Sequence, residues 1–272
     1  MPTIAVSESF HDLKTRHVRL VSEAARLGDV TLLLWPDELI RSADGHEPKF
    51  PTEERRYFWD SCRYVTRLVD SPSSLSPTTL DLSLIKPDIW VMPDDARATS
   101  RRDWCDRNDI DFVVVSEEVL KQFPPAAVCP ENPQSARKKV IVTGCFDFFH
   151  TGHVRFFEEV DELGDLYVCV GHDENIRLLK GEGHPLFPAN ERAFIAGSVK
   201  FAKQALVTSG QGWLDAEPEI ERLRPDVYAV NEDGDRPAKR EYCAAHGIEY
   251  VVLKRLPKPG LTRRTSTDLR GF

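Results

Sequence analysis

Val140-Ile141-Val142-Thr143-Gly144-Cys145-Phe146-Asp147-Phe148-Phe149-His150-Thr151-Gly152-His153 is the stretch from which this chain can be read. Four β-branched residues form a strand that stops at Gly144, and a helical pattern follows the short aromatic turn. Phe156, Val160 and Leu163 recur at i, i+4 and i+7, and Gly164 marks the helix stop. A glycine turn feeding a helix N-terminus exposes backbone N–H groups to an anion, at the positive end of the helix dipole. His150 and His153, three residues apart, share one helical face, and Gly152 lets the backbone come close to a phosphate. This is chemistry suited to a polyphosphate. The plainer alternative is two unrelated histidines with a glycine chosen for packing.

The neighbouring segments favour the first reading. Residues 138–272 resemble the nucleotidyltransferases of the cytidylyltransferase family, which carry a His-x-Gly-His motif. These enzymes join a nucleoside triphosphate to a phosphorylated small molecule and release pyrophosphate. After the histidine motif come a second strand, Leu166–Val170, the turn Gly171-His172-Asp173-Glu174, and Lys180, which looks like the family's lysine for the substrate phosphate. Glu191-Arg192 is similar to the family's Glu-Arg pair. A third strand-like run, 227–230, leads into Asn231-Glu232-Asp233-Gly234-Asp235, which resembles a Gly-Asp-Asp loop. Arg264-Thr265-Ser266-Thr267 is similar to the Arg-Thr-x-Gly-Ile-Ser-Thr signature without its Gly-Ile pair.

The resemblance implies a division of labour among these residues. Thr143, Gly144, Cys145, Phe146, Asp147, Gly152, Asp233, Arg264, Thr265, Ser266 and Thr267 would border the nucleotide. His150 and His153 would hydrogen-bond phosphate oxygens as charge moves to the leaving group. Lys180, with Asp173 and Arg192, would hold the acceptor. Mg²⁺ would accompany the triphosphate, its protein ligands unspecified. An acceptor phosphate is already anionic at neutral pH, so the attack needs no general base and no enzyme nucleophile. Cys145 is therefore expected to be structural.

The chain also repeats itself. Aligning Phe10 with Phe146 places Ile4-Ala5-Val6 under Val140-Ile141-Val142, His17-Val18-Arg19 under His153-Val154-Arg155, and Gly28-Asp29 under Gly164-Asp165. With one or two residues of slippage Glu54-Arg55 falls under Glu191-Arg192, Pro87-Asp88 under Pro225-Asp226, and Cys105 under Cys243. The copies differ where it matters: Lys14 stands for the first histidine and Arg16 for the glycine. The first copy thus reads as a degenerate domain, with an anion-sensing pocket of Lys14, Arg16 and His17 as the alternative. Strands alternating with helices predict α/β architecture, two tandem Rossmann-like domains with parallel sheets. The expected bounds are 1–123, a Pro-rich linker at 124–137, and a catalytic domain at 138–272. Each copy carries the segment through which such domains pair, Arg63-Tyr64-Val65 and Lys200-Phe201-Ala202, so the resemblance implies an intramolecular pseudo-dimer in a monomer or homodimer.

A formal net charge of −8 argues against a nucleic-acid partner, while a small anion held by local cations is compatible. Six scattered cysteines without a Cys-x-x-Cys pair suit a reduced, cytoplasmic protein. The first residues lack signal-peptide features, and no apolar run reaches membrane-spanning length. The tandem form is similar to the ethanolamine-phosphate cytidylyltransferases, although that family keeps the first histidine motif. The leading expectation is CTP as donor, with phosphoethanolamine, glycerol phosphate, a sugar phosphate or a phosphonate as acceptor. Transfer from ATP, and a non-catalytic nucleotide-binding role, are the alternatives. A tRNA-synthetase-like fragment would need a Lys-Met-Ser-Lys-Ser-like loop, which is missing.

Overall fold

The computed structural model describes residues 1–266 and Leu269. The chain divides into two compact units, Met1–Phe123 and Pro124–Phe272. The first contains β1 (Thr3–Glu8), α1 (Thr15–Ala25), β2 (Asp29–Leu34), α2 (Asp37–Asp44), α3 (Thr52–Asp60), β3 (Arg67–Asp70), β4 (Ile89–Pro93), α4 (Ala98–Arg107), β5 (Asp111–Val115) and α5 (Glu117–Leu120). The second contains β6 (Lys139–Gly144), α6 (Thr151–Asp161), β7 (Asp165–Val170), α7 (Asp173–Lys180), α8 (Ala189–Gly197), β8 (Ala202–Val207), α9 (Glu217–Leu223), β9 (Val227–Asn231), α10 (Pro237–His246) and β10 (Glu249–Leu253).

Each unit is α/β, built on a five-stranded, all-parallel sheet. The strand orders are β3-β2-β1-β4-β5 and β8-β7-β6-β9-β10, the same doubly wound arrangement. The register repeats too: Thr3 pairs with Asp29 and Lys139 with Asp165, while Ile89 pairs with Asp111 and Val227 with Glu249. Both sheets change winding direction beside their first strands, and in such sheets the crevice at the carboxyl end of that point receives ligands.

The duplication extends to individual hydrogen bonds. Thr3 N donates to Asp88 Oδ2 and Lys139 N to Asp226 Oδ2, each at 2.7 Å. Gly28 and Gly164 fill one role: a Cβ there would lie 2.1 Å from the Pro2 and Lys138 carbonyl oxygens respectively. The central strands are buried on both faces and read as near-continuous apolar runs. Ile141, Tyr167, Cys169, Leu206 and Tyr228 fill one face of the second sheet, with Ile220 and Leu223 of α9 against them. In the first unit Ala5, Leu33, Trp90 and Met92 form the matching layer. Helix α6 buries Val154 and Phe157 as well as the expected Phe156 and Val160.

The segment expected to be a linker belongs structurally to the second unit. Ala127 bridges to Leu206 of β8, Ala126 N donates to Asn190 Oδ1 at 3.2 Å, and Asn132 N donates to the Arg222 carbonyl at 2.7 Å. Proline removes backbone donors without preventing the remaining N–H groups from pairing, so a Pro-rich stretch can strap a sheet edge.

One guanidinium ties the second unit's ligand-facing loops together. Arg192 is 1% exposed; its Nε donates to the Phe187 carbonyl at 2.8 Å and Nη1 to the Cys145 carbonyl at 2.6 Å. Nη2 donates to the Gly171 carbonyl and to Asp173 Oδ1, both at 2.7 Å. The first unit repeats this with Arg55, which donates to the carbonyls of Phe50, Ser9 and Trp35 and to Asp37. Replacing Arg192 with leucine should lower stability by roughly 3 kcal/mol, since three carbonyls lose a charged donor. Hydrogen exchange should then speed up at the ends of β6 and β7 and the start of α8; unchanged protection there would show that the guanidinium is not the tie.

Candidate active site

At the end of β6 the chain turns through Phe146, whose φ is +55°, as it turns through Phe10 at +45° in the first unit. The turn delivers His150 to the N-cap of α6. Its Nδ1 accepts from Gly152 N at 3.0 Å, while His153 Nδ1 accepts from His150 N at 3.3 Å, a reciprocal capping box. A Cβ at Gly152 would lie 2.8 Å from the His150 ring, so glycine here makes room for that imidazole. With both Nδ1 atoms accepting, the ring protons sit on Nε2. The two rings lie 4.1 Å apart, and His153 stacks on Phe149 at 5.1 Å. Burial first, then the neighbouring His150, Arg255 and Lys180, hold His153 well below the usual histidine range. The pair therefore supplies neutral N–H donors beside the helix N-terminus.

Both histidines line a cleft of about 600 Å³ with Thr143, Gly144, Cys145, Phe146, Gly152, Asn231, Asp233, Lys239 and Arg255. It lies between β6 and β9, at the reversal of strand order. Thr143 Oγ1 is 2.7 Å from the Tyr228 hydroxyl. A narrow second crevice shares Gly152, Phe156, Asn231 and Arg255 with the first and continues along residues 254–264. Arg264 lines this cavity, its carbonyl 3.7 Å from where a Gly152 Cβ would stand, and Ser266 Oγ donates to the Phe148 carbonyl at 3.4 Å. The Arg264-Thr265-Ser266 segment thus reaches the histidine face; Thr267 lies outside the described residues.

Other expected residues have different tasks. Arg192, expected at the acceptor, is the buried brace described above, its guanidinium turned into the protein; Asp173, also expected there, pairs with it and keeps its side chain 40% exposed. Asp147, expected at the nucleotide, accepts from Leu186 N at 2.9 Å and from Phe187 N at 3.0 Å, fixing the loop after α7. Burial pushes the Cys145 thiol up, which keeps it protonated and unsuited to nucleophilic attack. Lys180 ends α7 with its side chain exposed, and its charge acts on both His153 and Cys145. Asp233 lines the cleft and is ion-paired with Arg255. Among the lining residues that the sequence did not assign to the site are Arg255, Lys239 and Asn231. Lys239 lies over the Tyr228 ring, 5.5 Å from Nζ to the centroid, and burial lowers its ammonium pKa. Asn231 Oδ1 is buried without a hydrogen-bond partner.

The first unit has a cleft of about 680 Å³ at the corresponding place, but its charges close on one another. Glu8 occupies the place of Gly144 and is held by Arg97 and Arg101; burial raises its carboxyl pKa despite them. Arg16, in the place of Gly152, pairs with Glu117, which stands where the second unit has Arg255. Lys14, in the place of His150, turns to Asp12 at 2.7 Å and makes no side-chain cap. His17, the counterpart of His153, is lowered to about 4 by burial. A phosphate entering there would meet carboxylates and cations already paired.

A doubly wound sheet, paired neutral histidines on a helix N-terminus and a cation-lined cleft at the strand ends define a nucleotide-binding group-transfer domain. A family model described as Cytidylyltransferase-like matches residues 141–254. An FAD synthase of Thermococcus kodakarensis is 34% identical over 126 residues, covering 44% of this chain and 83% of that protein. An FAD synthase of Ferroglobus placidus is 35% identical over 120 residues, 43% of this chain and 75% of that protein. The Bifunctional protein HldE of Haemophilus ducreyi is 40% identical over 93 residues, 34% of this chain and 18% of that protein. Among solved structures, a lipopolysaccharide core biosynthesis protein from Thermoplasma volcanium aligns over 44% of this chain and 98% of its own, with 22% identity and a TM-score of 0.38. The chain belongs to the cytidylyltransferase-like family of nucleotidyltransferases. Among the described residues no helix is long and apolar enough to cross a membrane.

Two expectations follow from the geometry. In ligand-free protein His153 should stay neutral at pH 6.5, where an ordinary imidazole is half charged, and NMR should show its Nε2–H tautomer. Its folded pKa lies below the unfolded one, so the stability it contributes is present above about pH 6.5 and is lost as the pH falls toward the folded value. Equilibrium titration with a nucleoside triphosphate should saturate at one molecule per chain; saturation at two would show that the first unit's ion pairs open for a ligand.

Proposed function

We propose that the second unit is an adenylyltransferase, moving the adenylyl group of ATP onto the phosphate of a small molecule with release of pyrophosphate. The observation that carries this reading is the His150/His153 pair: two neutral donors locked on one face of a helix N-terminus, beside Asp233, Lys239 and Arg255. ATP is favoured over the CTP expected from the sequence because FAD is flavin mononucleotide bearing an adenylyl group, and the FAD synthases match this chain over most of their length.

The acceptor phosphate oxygen attacks the α-phosphorus as the bond to the α,β-bridging oxygen breaks, and the electron pair leaves on pyrophosphate. No proton moves, so catalysis rests on alignment and on stabilising the shifting charge. The histidine Nε2–H groups and the α6 N-terminus face the phosphates. Lys180, at the end of α7, holds the acceptor phosphate, and Arg264 with Thr265 and Ser266 closes the far side. The orphan Asn231 Oδ1 offers an acceptor to a ribose hydroxyl. Mg²⁺ would supply charge neutralisation as part of the nucleotide complex.

Pyrophosphate release should be followed with each nucleoside triphosphate against flavin mononucleotide, glycerol phosphate, phosphoethanolamine, sugar phosphates and a phosphonate. Acceptor-dependent release with ATP should fall by about a hundredfold or more in His150→Ala, the cost of one lost transition-state donor. Release with CTP instead would restore the cytidylyl reading. Tight nucleotide binding without release from any acceptor would favour a non-catalytic nucleotide-binding role.

A further inference from the structure

We propose that the cleft of the first unit is a second binding site, one that takes a small organic cation, a primary ammonium on a short carbon body, where the second unit takes a phosphate. The site is built from the first unit alone and does not depend on what the second unit transfers.

The cleft lies at the carboxyl ends of β1 and β4, where the winding of the first sheet reverses and where such sheets receive ligands. Its scaffold is kept: Arg55 ties the surrounding segments as Arg192 does, and Phe10 holds the positive φ of Phe146. What differs is the charge at aligned positions. Glu8 stands for Gly144 and Glu117 for Arg255; α2 and α7, which share Asp-Glu-x-Ile-Arg, end in Asp44 and Lys180 respectively. Losing a phosphate requires only that cations be lost, whereas burying carboxylates costs free energy that a disused cleft need not spend.

Three carboxylates on the wall converge on Arg97. Its Nη2 donates to Glu8 Oε2 and to Asp95 Oδ2 at 3.1 Å each, and its Nη1 stands 3.6 Å from Asp44 Oδ1. Arg101 also pairs with Glu8, so three carboxylates share two guanidiniums. The other charges cancel in pairs, Arg16 with Glu117 and Lys14 with Asp12, and burial lowers the pKa of His11 and holds His17 at about 4, which leaves both neutral near pH 7. One negative charge is left over. Asp44 is the carboxylate held least, since 3.6 Å is beyond hydrogen-bonding distance, and its side chain is 19% exposed. A phosphate would add charge of the same sign, while an ammonium brings three donors and the one positive charge that the wall lacks. Phe10, Leu20, Pro93 and Leu120 offer apolar wall to its carbon body, which an inorganic ion would leave uncovered. Among the described residues no group of three or more His, Cys, Asp or Glu side chains is placed to hold a metal.

The test is a titration of the full isotope-labelled chain with n-butylammonium chloride, followed by amide chemical shifts, with sodium chloride and n-butanol as inorganic and neutral controls. Saturable shifts should centre on residues 8–17, 44 and 93–97, persist in the presence of ATP, and be produced by neither control. Asp44→Asn should weaken binding by about tenfold or more, the scale of one charge-assisted contact, and Asp44→Lys should remove it. Asp95→Asn, on a separate segment, should weaken it in the same direction, and thermal unfolding of each variant checks that the fold is kept. Shifts no larger than those from sodium, or equal shifts from n-butanol, would overturn the assignment, as would binding by Asp44→Asn within about threefold of wild type. Saturable binding of inorganic phosphate at the same residues would replace it with an anion pocket.

Discussion

A buried guanidinium must be surrounded by acceptors, and the rest of the site depends on how Arg192 meets that demand. Its three carbonyl partners end different segments: Cys145 in the turn after β6, Gly171 after β7, and Phe187 before α8. Asp173 supplies the countercharge from the first turn of α7. Stripping this charge of any one partner would leave a desolvated donor, so the segments are fixed relative to one another. Asp147 strengthens the tie by accepting the Leu186 and Phe187 N–H groups. The histidine turn is thereby held from behind, with its front face clear for a ligand.

Arg55 does the same in the first unit, so the two copies share a skeleton while their clefts carry opposite electrostatic designs. In the second, Gly144 and Gly152 make room for the Phe146 and His150 rings, and Arg255 supplies positive charge. In the first, Glu8 and Arg16 fill the corresponding places, and Glu117 reverses the charge. An Arg–Glu pair across a cleft satisfies both partners without a ligand, so losing the phosphate site costs the fold little. The brace cannot be surrendered in the same way, because its carbonyls remain buried whether or not a nucleotide binds.

That contrast explains what could be read from the sequence. Strand, turn and helix were legible at the histidine motif because β-branching, glycine and a 3.6-residue apolar period are local signals. The repeat was legible because offsets near 136 residues preserve paired strands, and the structure carries it into register and hydrogen bonding. Arg192 was placed at the substrate because the resemblance gives a residue's company but not the direction of its side chain. The correcting signal was present: Glu54-Arg55 persists in the copy that has lost its first histidine and its glycine, and a residue kept where ligand-facing residues are lost serves the fold. Arg255 and Lys239 carry no local pattern, since they reach the cleft only through the pairing of β9 and β10. Read against the repeat, though, Arg255 falls opposite Glu117, a charge reversal visible without coordinates. The strap at 124–137 was hidden because proline content reports stiffness but not where a segment packs.

Neutral histidines and a partly exposed ion pair together suit a chain with a net charge of −8 in the reading that it accepts a polyanion. A cleft of unpaired cations would attract phosphate strongly but hold pyrophosphate as firmly as the triphosphate that precedes it. Here the direct donors are uncharged and the nearest guanidinium already has a carboxylate partner. A triphosphate that reached Arg255 would compete with Asp233 for its guanidinium, and the pair would re-form once pyrophosphate left. Such competition would weaken ground-state binding and favour release, while leaving the guanidinium beside the leaving group as its bond breaks. Binding energy is expressed most strongly where charge is changing, which is the condition for raising turnover over affinity.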